Sequence, residues 1–305
     1  MDFREMLYIT TVADCRSVTA AAKKLYISQP SLSYIISKVE QDVGVKLFER
    51  KNYPLTLTYA GEKYVDTARK ILLLNDNLRK ELMDIGLGEK GRISFGMPLE
   101  RAGYMLPRVI GKFKEKYPRV ELQLQESKVD GLIDALMRDE INFFISPGNK
   151  ENLPAGLKTE VIYREELFLV TAPGVVTEEK IIPDSGGAVD IHKLGNIPYI
   201  LLKKGHANRK RVDQILKEHK VVPNVVMEVS SCISAVQLAS SGLGAAIVPM
   251  RALETLGGKD KFCCYSYRKE RDGWDVNVIY KEEVYLDKSE RYLINLMKEA
   301  FAETE

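Results

Sequence analysis

From Tyr59 to about Leu87 the chain runs without a proline, and with glycine only at Gly61 and Gly86. Within that run Ala68, Ile71, Asn75, Leu78, Leu82 and Ile85 follow one another at spacings of 3, 4, 3, 4 and 3. That is a heptad seam, and it predicts one helix of about 28 residues, about 42 Å long. A helix of that length cannot satisfy its own apolar stripe. Two readings are open. The stripe packs on the chain's own neighbouring domain with Asn75 solvated, or a second copy covers it, with Asn75 lowering stability while it sets the register. The helix also divides the chain. Residues 1–58 precede it as one domain, 59–87 form the linker, and 88–305 follow.

The first domain reads as helical. Phe3, Met6, Leu7, Ile9 and Val12 fall at helical spacing over residues 3–14. Residues 18–25 form a second helix, in which Ala20, Ala21 and Ala22 permit a close crossing. After a turn at Tyr26-Ile27, Ser28 is a good N-cap, Pro30 sits in the first turn, and Gly44 ends a third helix. Leu32, Ile35, Ile36, Val39 and Val43 make its apolar stripe. The opposite face shows Gln29, Ser31, Ser33, Tyr34, Ser37 and Lys38, and no acid stands before Glu40. A glutamine amide pairs with adenine edges, serine hydroxyls reach bases or phosphates, and the helix start itself attracts anions. The segment is therefore suited to a polyanion. Arg50 and Lys51 then stand at the tip of a hairpin between Leu47-Phe48 and the alternating Leu55-Thr56-Leu57-Thr58. Helix, turn, polar-fronted helix and basic hairpin make a winged helix-turn-helix. Total charge adds little: the net +2 falls within the first 60 residues, which hold eight basic and six acidic side chains.

The stretch 18–50 together with Leu57-Thr58-Tyr59-Ala60-Gly61 resembles the DNA-binding domain of LysR-type transcriptional regulators. The residues that carry the likeness are Ala21-Ala22 with Leu25, the run Ser28-Gln29-Pro30-Ser31-Leu32-Ser33, and Glu40 with Gly44-Val45, Leu47-Phe48 and Arg50. They occur in the family's order. The resemblance implies DNA contacts by Gln29, Pro30, Ser31, Ser33 and Lys38, and by Arg50 in the wing. At Tyr34 the family usually has arginine. Tyrosine has one hydroxyl and cannot make a bidentate guanine contact, so a thymine methyl or a phosphate is the expected partner there. The family's linker helix pairs two chains, which favours dimerisation through Ala68, Ile71, Asn75, Leu78 and Leu82. A two-fold dimer reads an inverted repeat of double-stranded DNA.

Beyond residue 91 short apolar strands alternate with helices, which predicts an α/β domain with a largely parallel sheet. Strands are expected at 92–96, 120–125, 141–145, 167–171, 199–202, 225–229 and 276–280, and helices at 104–117, 132–137, 208–217, 233–240 and 289–301. The whole is an α+β multidomain chain. This half resembles the family's effector-binding domain, itself similar to type 2 periplasmic binding proteins. That likeness implies two α/β lobes, 91–162 with 268–305 and 163–267, and a small molecule between them. Ligand contacts are expected where strand ends face helix starts: Pro98, Leu99 and Glu100, then Ser146, Lys203 to His206, and Ser230-Ser231. The family commonly has serine or threonine at the Leu99 and Glu100 positions. Glu100 instead either caps its own helix or bears on the charge of the ligand.

Enzyme activity is not expected. The three histidines lack metal spacing, and no Gly-x-Ser-x-Gly or Cys-x-x-Cys motif occurs. No metal or cofactor is expected beyond the effector. Cys15, Cys232, Cys263 and Cys264 read as reduced thiols; a redox-sensing Cys263-Cys264 near Lys259, Lys261 and Arg268 is the alternative. No run of about 18 apolar residues is present, so a cytoplasmic protein that spans no membrane is expected. By the family likeness it would work as a dimer or tetramer and contact RNA polymerase through altered DNA bending.

Overall fold

The computed structural model describes residues 2–49, 54–85, 91–148, 153–254, 262–267 and 273–302. The chain forms two compact units, Met1–Gly88 and Glu89–Glu305.

In the first unit α1 (Phe3–Cys15), α2 (Val18–Lys24) and α3 (Gln29–Val43) precede a two-residue antiparallel pair, β1 (Phe48–Glu49) and β2 (Thr56–Leu57), and the long helix α4 (Tyr59–Ile85). Asp2 and Glu5 close a capping box on α1, and Ser17 caps α2. Tyr8, Ile9, Val12, Ala21, Ala22, Leu32, Ile36 and Val39 close the core with Leu47, Phe48 and Val65. Three residues of the expected apolar stripes lie outside it. Val43 is exposed in the last turn of α3, and Phe3 and Leu7 face solvent from α1.

The long helix begins at Thr58. Its hydroxyl accepts from Gly61 N at 2.9 Å and donates to the Lys46 carbonyl at 2.7 Å, so it caps α4 and holds the chain before the wing. Gly61 is required by space: a Cβ there would lie 2.0 Å from the Leu47 carbonyl oxygen. The seam expected for dimerisation is split. Ala68 is buried within its own unit, where α4 runs along α1 and Arg69 reaches Asp14 at 2.6 Å. Ile71 and Asn75 are half-buried, whereas Leu78 and Leu82 are 54% and 58% exposed. Leu74, one turn before Leu78, is exposed as well.

The second unit contains β3 (Gly91–Met97), α5 (Leu99–Lys116), β4 (Val120–Glu126), α6 (Val129–Met137), β5 (Phe143–Pro147) and β6 (Leu157–Thr171). After two 3₁₀ turns come β7 (Pro198–Leu202), α7 (Ala207–Glu218), β8 (Asn224–Val229), α8 (Cys232–Ser240), β9 (Ala246–Pro249) and α9 (Met250–Glu254). The last elements are β10 (Cys263–Tyr265), β11 (Gly273–Lys281) and α10 (Lys288–Phe301). The main sheet runs β10-β6-β11-β5-β3-β4, with β9 also paired to β6, and β7-β8 form a separate parallel pair. The sheet is mixed, not largely parallel. Only the pairs β3-β4 and β3-β5 are parallel within it, while β6 and β11 run antiparallel to every neighbour. Its first half is covered by α5 and α10 on one face and α6 on the other. A second pair of cores packs α7, then α8 and α9, around the end of β6, β7 and β9.

Strand β6 starts ten residues before the expected 167–171. Charges at Lys158, Glu160, Arg164, Glu165 and Glu166 hide it from any apolar pattern. Two of these acids are matched from elsewhere. Glu160 takes Arg291 at 2.7 Å, Lys298 at 3.0 Å and the Tyr280 hydroxyl. Helix α5 likewise starts at Leu99, before the expected 104, and continues through Pro107. A helix-interior proline costs about 3 kcal/mol. Burial of Ala102, Met105, Val109 and Phe113 on one face offsets it.

Two stability measurements test this account. Gly61→Ala should destabilise the first unit by about 1–3 kcal/mol through overpacking, seen in urea unfolding by far-ultraviolet circular dichroism, with the emission of Trp274 in the second unit unmoved. Burial pushes the Glu160 carboxyl up, but bonds from Tyr280, Arg291 and Lys298 outweigh it and hold the group down at about 2. Since the unfolded value is near ~4.3, the stabilisation is complete above about pH 5 and is lost as pH falls toward 2. Glu160→Gln should therefore narrow the gap in unfolding free energy between pH 7 and pH 3 by about 1–2 kcal/mol.

Candidate functional site

The start of α3 is built by local hydrogen bonds. Ser28 accepts from Ser31 N at 3.2 Å and meets the Ser31 hydroxyl at 2.7 Å. Gln29 donates to the Ser33 hydroxyl at 2.9 Å, one turn on. Gln29, Pro30 and Ser31 are exposed, Ser33 is half-buried, and Tyr34 is 71% exposed. No acid lies in the first turn. Beside this face Tyr26 stands 95% exposed with φ at 55°, a left-handed conformation unusual for a non-glycine residue. The pattern of residues gave no reason to single out Tyr26, because it falls in the turn and on no apolar or polar stripe. Lys38 behaves differently from its neighbours. It donates to Glu5 at 2.8 Å and holds that carboxyl below the usual range, so the pair is close to neutral. Arg50 and Lys51 lie outside the described residues.

A buried acid fixes the wing to α3. Glu40 has no solvent access to speak of, yet accepts from Leu47 N at 3.0 Å, Phe48 N at 3.3 Å and Lys46 at 2.8 Å. Burial opposes its charge, but these donors outweigh it and hold the carboxyl below its ordinary value.

The second unit contains a cleft of about 630 Å³. Ser146 and Pro147 at the end of β5, Lys204 and His206 before α7, and Trp274 on β11 are among its walls. Behind Trp274 lies a solvent-free polar cluster. Glu165 accepts from Trp274 Nε1 at 2.9 Å, from Arg101 at 2.8 Å, and from the hydroxyls of Tyr104 and Tyr163 at 3.0 and 3.1 Å. Burial pushes the Glu165 carboxyl up, but the Arg101 guanidinium prevails and keeps it below the usual range. Burial raises Tyr104 well above its ordinary value. No group of His, Cys, Asp and Glu among the described residues is arranged to hold a metal.

Comparison with known proteins identifies this architecture. A family model for the LysR substrate binding domain matches residues 86–302, and one for the bacterial regulatory helix-turn-helix protein of the lysR family matches residues 3–62. The uncharacterized HTH-type transcriptional regulator YcgK of Bacillus subtilis (strain 168) is 31% identical over 259 residues, 82% of this chain and 80% of that protein. This chain belongs to the LysR family. It is a DNA-binding transcriptional regulator with an effector-binding domain. The regulator CzcR of the same organism is 27% identical over 300 residues, 98% of each chain. In fold the chain is similar to a full-length OxyR variant from Pseudomonas aeruginosa, with TM-score 0.73 and 23% identity over 98% of this chain and 94% of that one. Full-length CbnR complexed with its target DNA gives TM-score 0.56 and 22% identity over 98% and 100%.

The effector residues expected of a LysR regulator separate into two places. Ser146 and His206 line the cleft, with Lys204 in place of Lys203. Pro98, Leu99, Glu100, Ser230 and Ser231 are not part of that lining. Pro98 is the N-cap of α5 without a side-chain bond, and Leu99 is exposed. Glu100 does not cap its own helix. It accepts from Cys232 N at 2.6 Å and so caps α8, whose other cap is Ser231 on Ser234 N. Sequence spacing cannot show this, since the partners are 132 residues apart. Burial, then Glu100, pushes the Cys232 thiol well above its ordinary value, which makes it a poor nucleophile. Cys263 is half-buried and Cys264 exposed on β10; the lysines and arginine expected beside them lie outside the described residues.

Glu40 generates a prediction for the DNA-binding unit. Glu40→Ala leaves the Leu47 and Phe48 amides unpaired and should destabilise the unit by about 1–3 kcal/mol in urea unfolding. Glu40→Gln, which keeps one acceptor, should lose less.

Proposed function

We propose that two copies of this regulator bind an inverted-repeat operator, each placing the start of α3 in a major groove and the wing tip on the backbone. The observation that carries the reading is the first two turns of α3, where Gln29, Pro30, Ser31 and Tyr34 meet solvent with no acid among them. Gln29 reads a base edge, Ser31 and Ser33 take a base or phosphate, and Tyr34 packs on a thymine methyl or a phosphate. Lys38, already paired with Glu5, adds little net attraction for phosphate. Arg50 and Lys51 supply positive charge at the wing. Tyr26 joins this set as an exposed aromatic beside the helix start.

Support for pairing comes from the exposed leucines 74, 78 and 82, which follow one another turn by turn along α4. On the second unit Val225, Val226 and Met227 are exposed along β8, a further apolar surface for another copy. The cleft receives a small-molecule effector, and its occupancy shifts the lobes and with them DNA bending and contact with RNA polymerase. The chain acts by binding, not catalysis, and works in the cytoplasm at the chromosome.

Gel shifts with a promoter fragment and a scrambled duplex at two salt concentrations test this. Promoter binding should exceed scrambled binding and fall steeply with salt. Gln29→Ala should weaken promoter binding by about 1–3 kcal/mol and scrambled binding much less. Arg50→Ala should weaken both alike and reduce the salt slope by about one. Equal losses for the two variants on both duplexes would reject this division of roles.

A further inference from the structure

We propose that Arg16 and Tyr26, one at each end of α2, grip the phosphate backbone beside the groove that α3 enters, so that α2 adds a clamp that reads no sequence. This rests on the reading of α3 as the groove helix. Three helices of the first unit close on a residue in the left-handed region: α1 on Arg16 with φ at 46°, α2 on Tyr26 with φ at 55°, and α3 on Gly44 with φ at 75°. Glycine adopts that conformation without steric cost, whereas a Cβ crowds the following carbonyl. At Tyr26 the turn is a complete Schellman closure. Its amide donates to the Lys23 carbonyl at 3.2 Å, and the Ile27 amide donates to the Ala22 carbonyl at 3.1 Å. Glycine is the usual residue at such a position. Packing gives no reason for arginine or tyrosine at these two turns, since each holds a strained backbone while its side chain stays in solvent. Tyr26 is 95% exposed and Arg16 is exposed as well. Neither side chain makes a hydrogen bond or ion pair among the described residues.

The charge around them has one sign. No Asp or Glu occurs between Asp14 and Glu40, and the stretch holds Arg16, Lys23, Lys24 and Lys38. The two acids that bound it are occupied: Asp14 accepts from Arg69 at 2.6 Å, and Glu40 is buried against Lys46 and the wing amides. Thr19 and Lys23 are exposed one turn apart along α2, while Ala21 and Ala22 pack into the core. The outer side of α2 therefore offers a hydroxyl and a cation between Arg16 and Tyr26. The Arg16 carbonyl accepts from Leu55 N at 3.0 Å, which ties this turn to the residue before β2. Arg16 is thus held between α2 and the wing, and Tyr26 between α2 and α3. In a helix-turn-helix the first helix crosses the backbone while the second occupies the groove. A guanidinium takes phosphate oxygens through paired N–H bonds, and a phenol donates one bond. Neither contact carries sequence information, but together they fix where along the duplex Gln29 stands.

Arg16→Gly and Tyr26→Gly should move stability and binding in opposite directions. In the full-length protein each should raise the urea midpoint of the first unit, followed by far-ultraviolet circular dichroism while Trp274 emission marks the second unit. In gel shifts each should weaken promoter and scrambled duplex alike, by about threefold to tenfold. Arg16→Gly should reduce the salt slope by about one, and Tyr26→Gly should leave it unchanged. Tyr26→Phe keeps the ring and removes the donor, and should lose as much as Tyr26→Gly; full binding by Tyr26→Phe would overturn the hydroxyl contact. If both glycine variants bind like the parent while Gln29→Ala still weakens promoter binding, the clamp is absent and the α3 reading stands. Losses confined to the promoter would make these residues base readers and overturn the inference. So would a fall in the urea midpoint alongside the loss of binding. If Gln29→Ala and the glycine variants are all without effect, the α3 reading and this inference fall together.

Discussion

Glu165 carries its charge without solvent at the point where β6 passes from one set of cores to the other. An ionised carboxylate in that position is tolerable only with full compensation, because desolvation costs several kcal/mol per ion. Arg101 from α5, Tyr104 one turn later, Tyr163 from β6 and Trp274 from β11 supply it. Three elements far apart in the chain are thereby held to one geometry. Removing Arg101 would leave the buried carboxylate without its countercharge, so the arrangement tolerates few alternatives. The cleft depends on it directly, since Trp274 is both a donor to Glu165 and part of the cleft wall. An occupant of the cleft would touch a side chain already committed to Glu165 on β6.

The same device recurs on a smaller scale. Glu40 joins the end of α3 to the first residues of the wing, and Glu100 joins the start of α5 to the start of α8. In each case a carboxylate is satisfied by backbone amides of another element. Such bonds are directional and span a fixed length, so they place whole elements where apolar packing alone would allow sliding. If one helix start meets DNA and one cleft meets a ligand, as proposed above, placement of elements is what that function requires. The exposed face of α3 needs no such support of its own, because Ser28, Ser31, Gln29 and Ser33 organise it within one turn.

The exposed leucines of α4 belong to a different category. A stripe that includes Leu78 and Leu82 at over half exposure is unfinished in a single chain. The seam is nonetheless not uniform. Ala68 is used up inside the unit, and only the later turns remain for a partner.

What the order of residues determines by itself is whatever acts over a few positions. The cap at Ser28, the stop at Gly44, the apolar stripe of α3 and the length of α4 are all local, and each is legible in sequence. So are the acid-free helix start and the motif that marks the family. What needed the tertiary structure is whatever depends on partners at long range. The charged half of β6 becomes a strand because Arg291, Lys298, Arg101 and Trp274 meet its acids, from positions more than 60 residues away. Glu40 is buried and Val43 is not, which reverses what hydropathy implies, because the Leu47 and Phe48 amides reward a carboxylate there. Glu100 caps α8 and not its own helix, a bond that joins positions 132 residues apart. Local rules decide which elements form. Directional bonds to distant charges decide where they sit and which side chains stay free to bind.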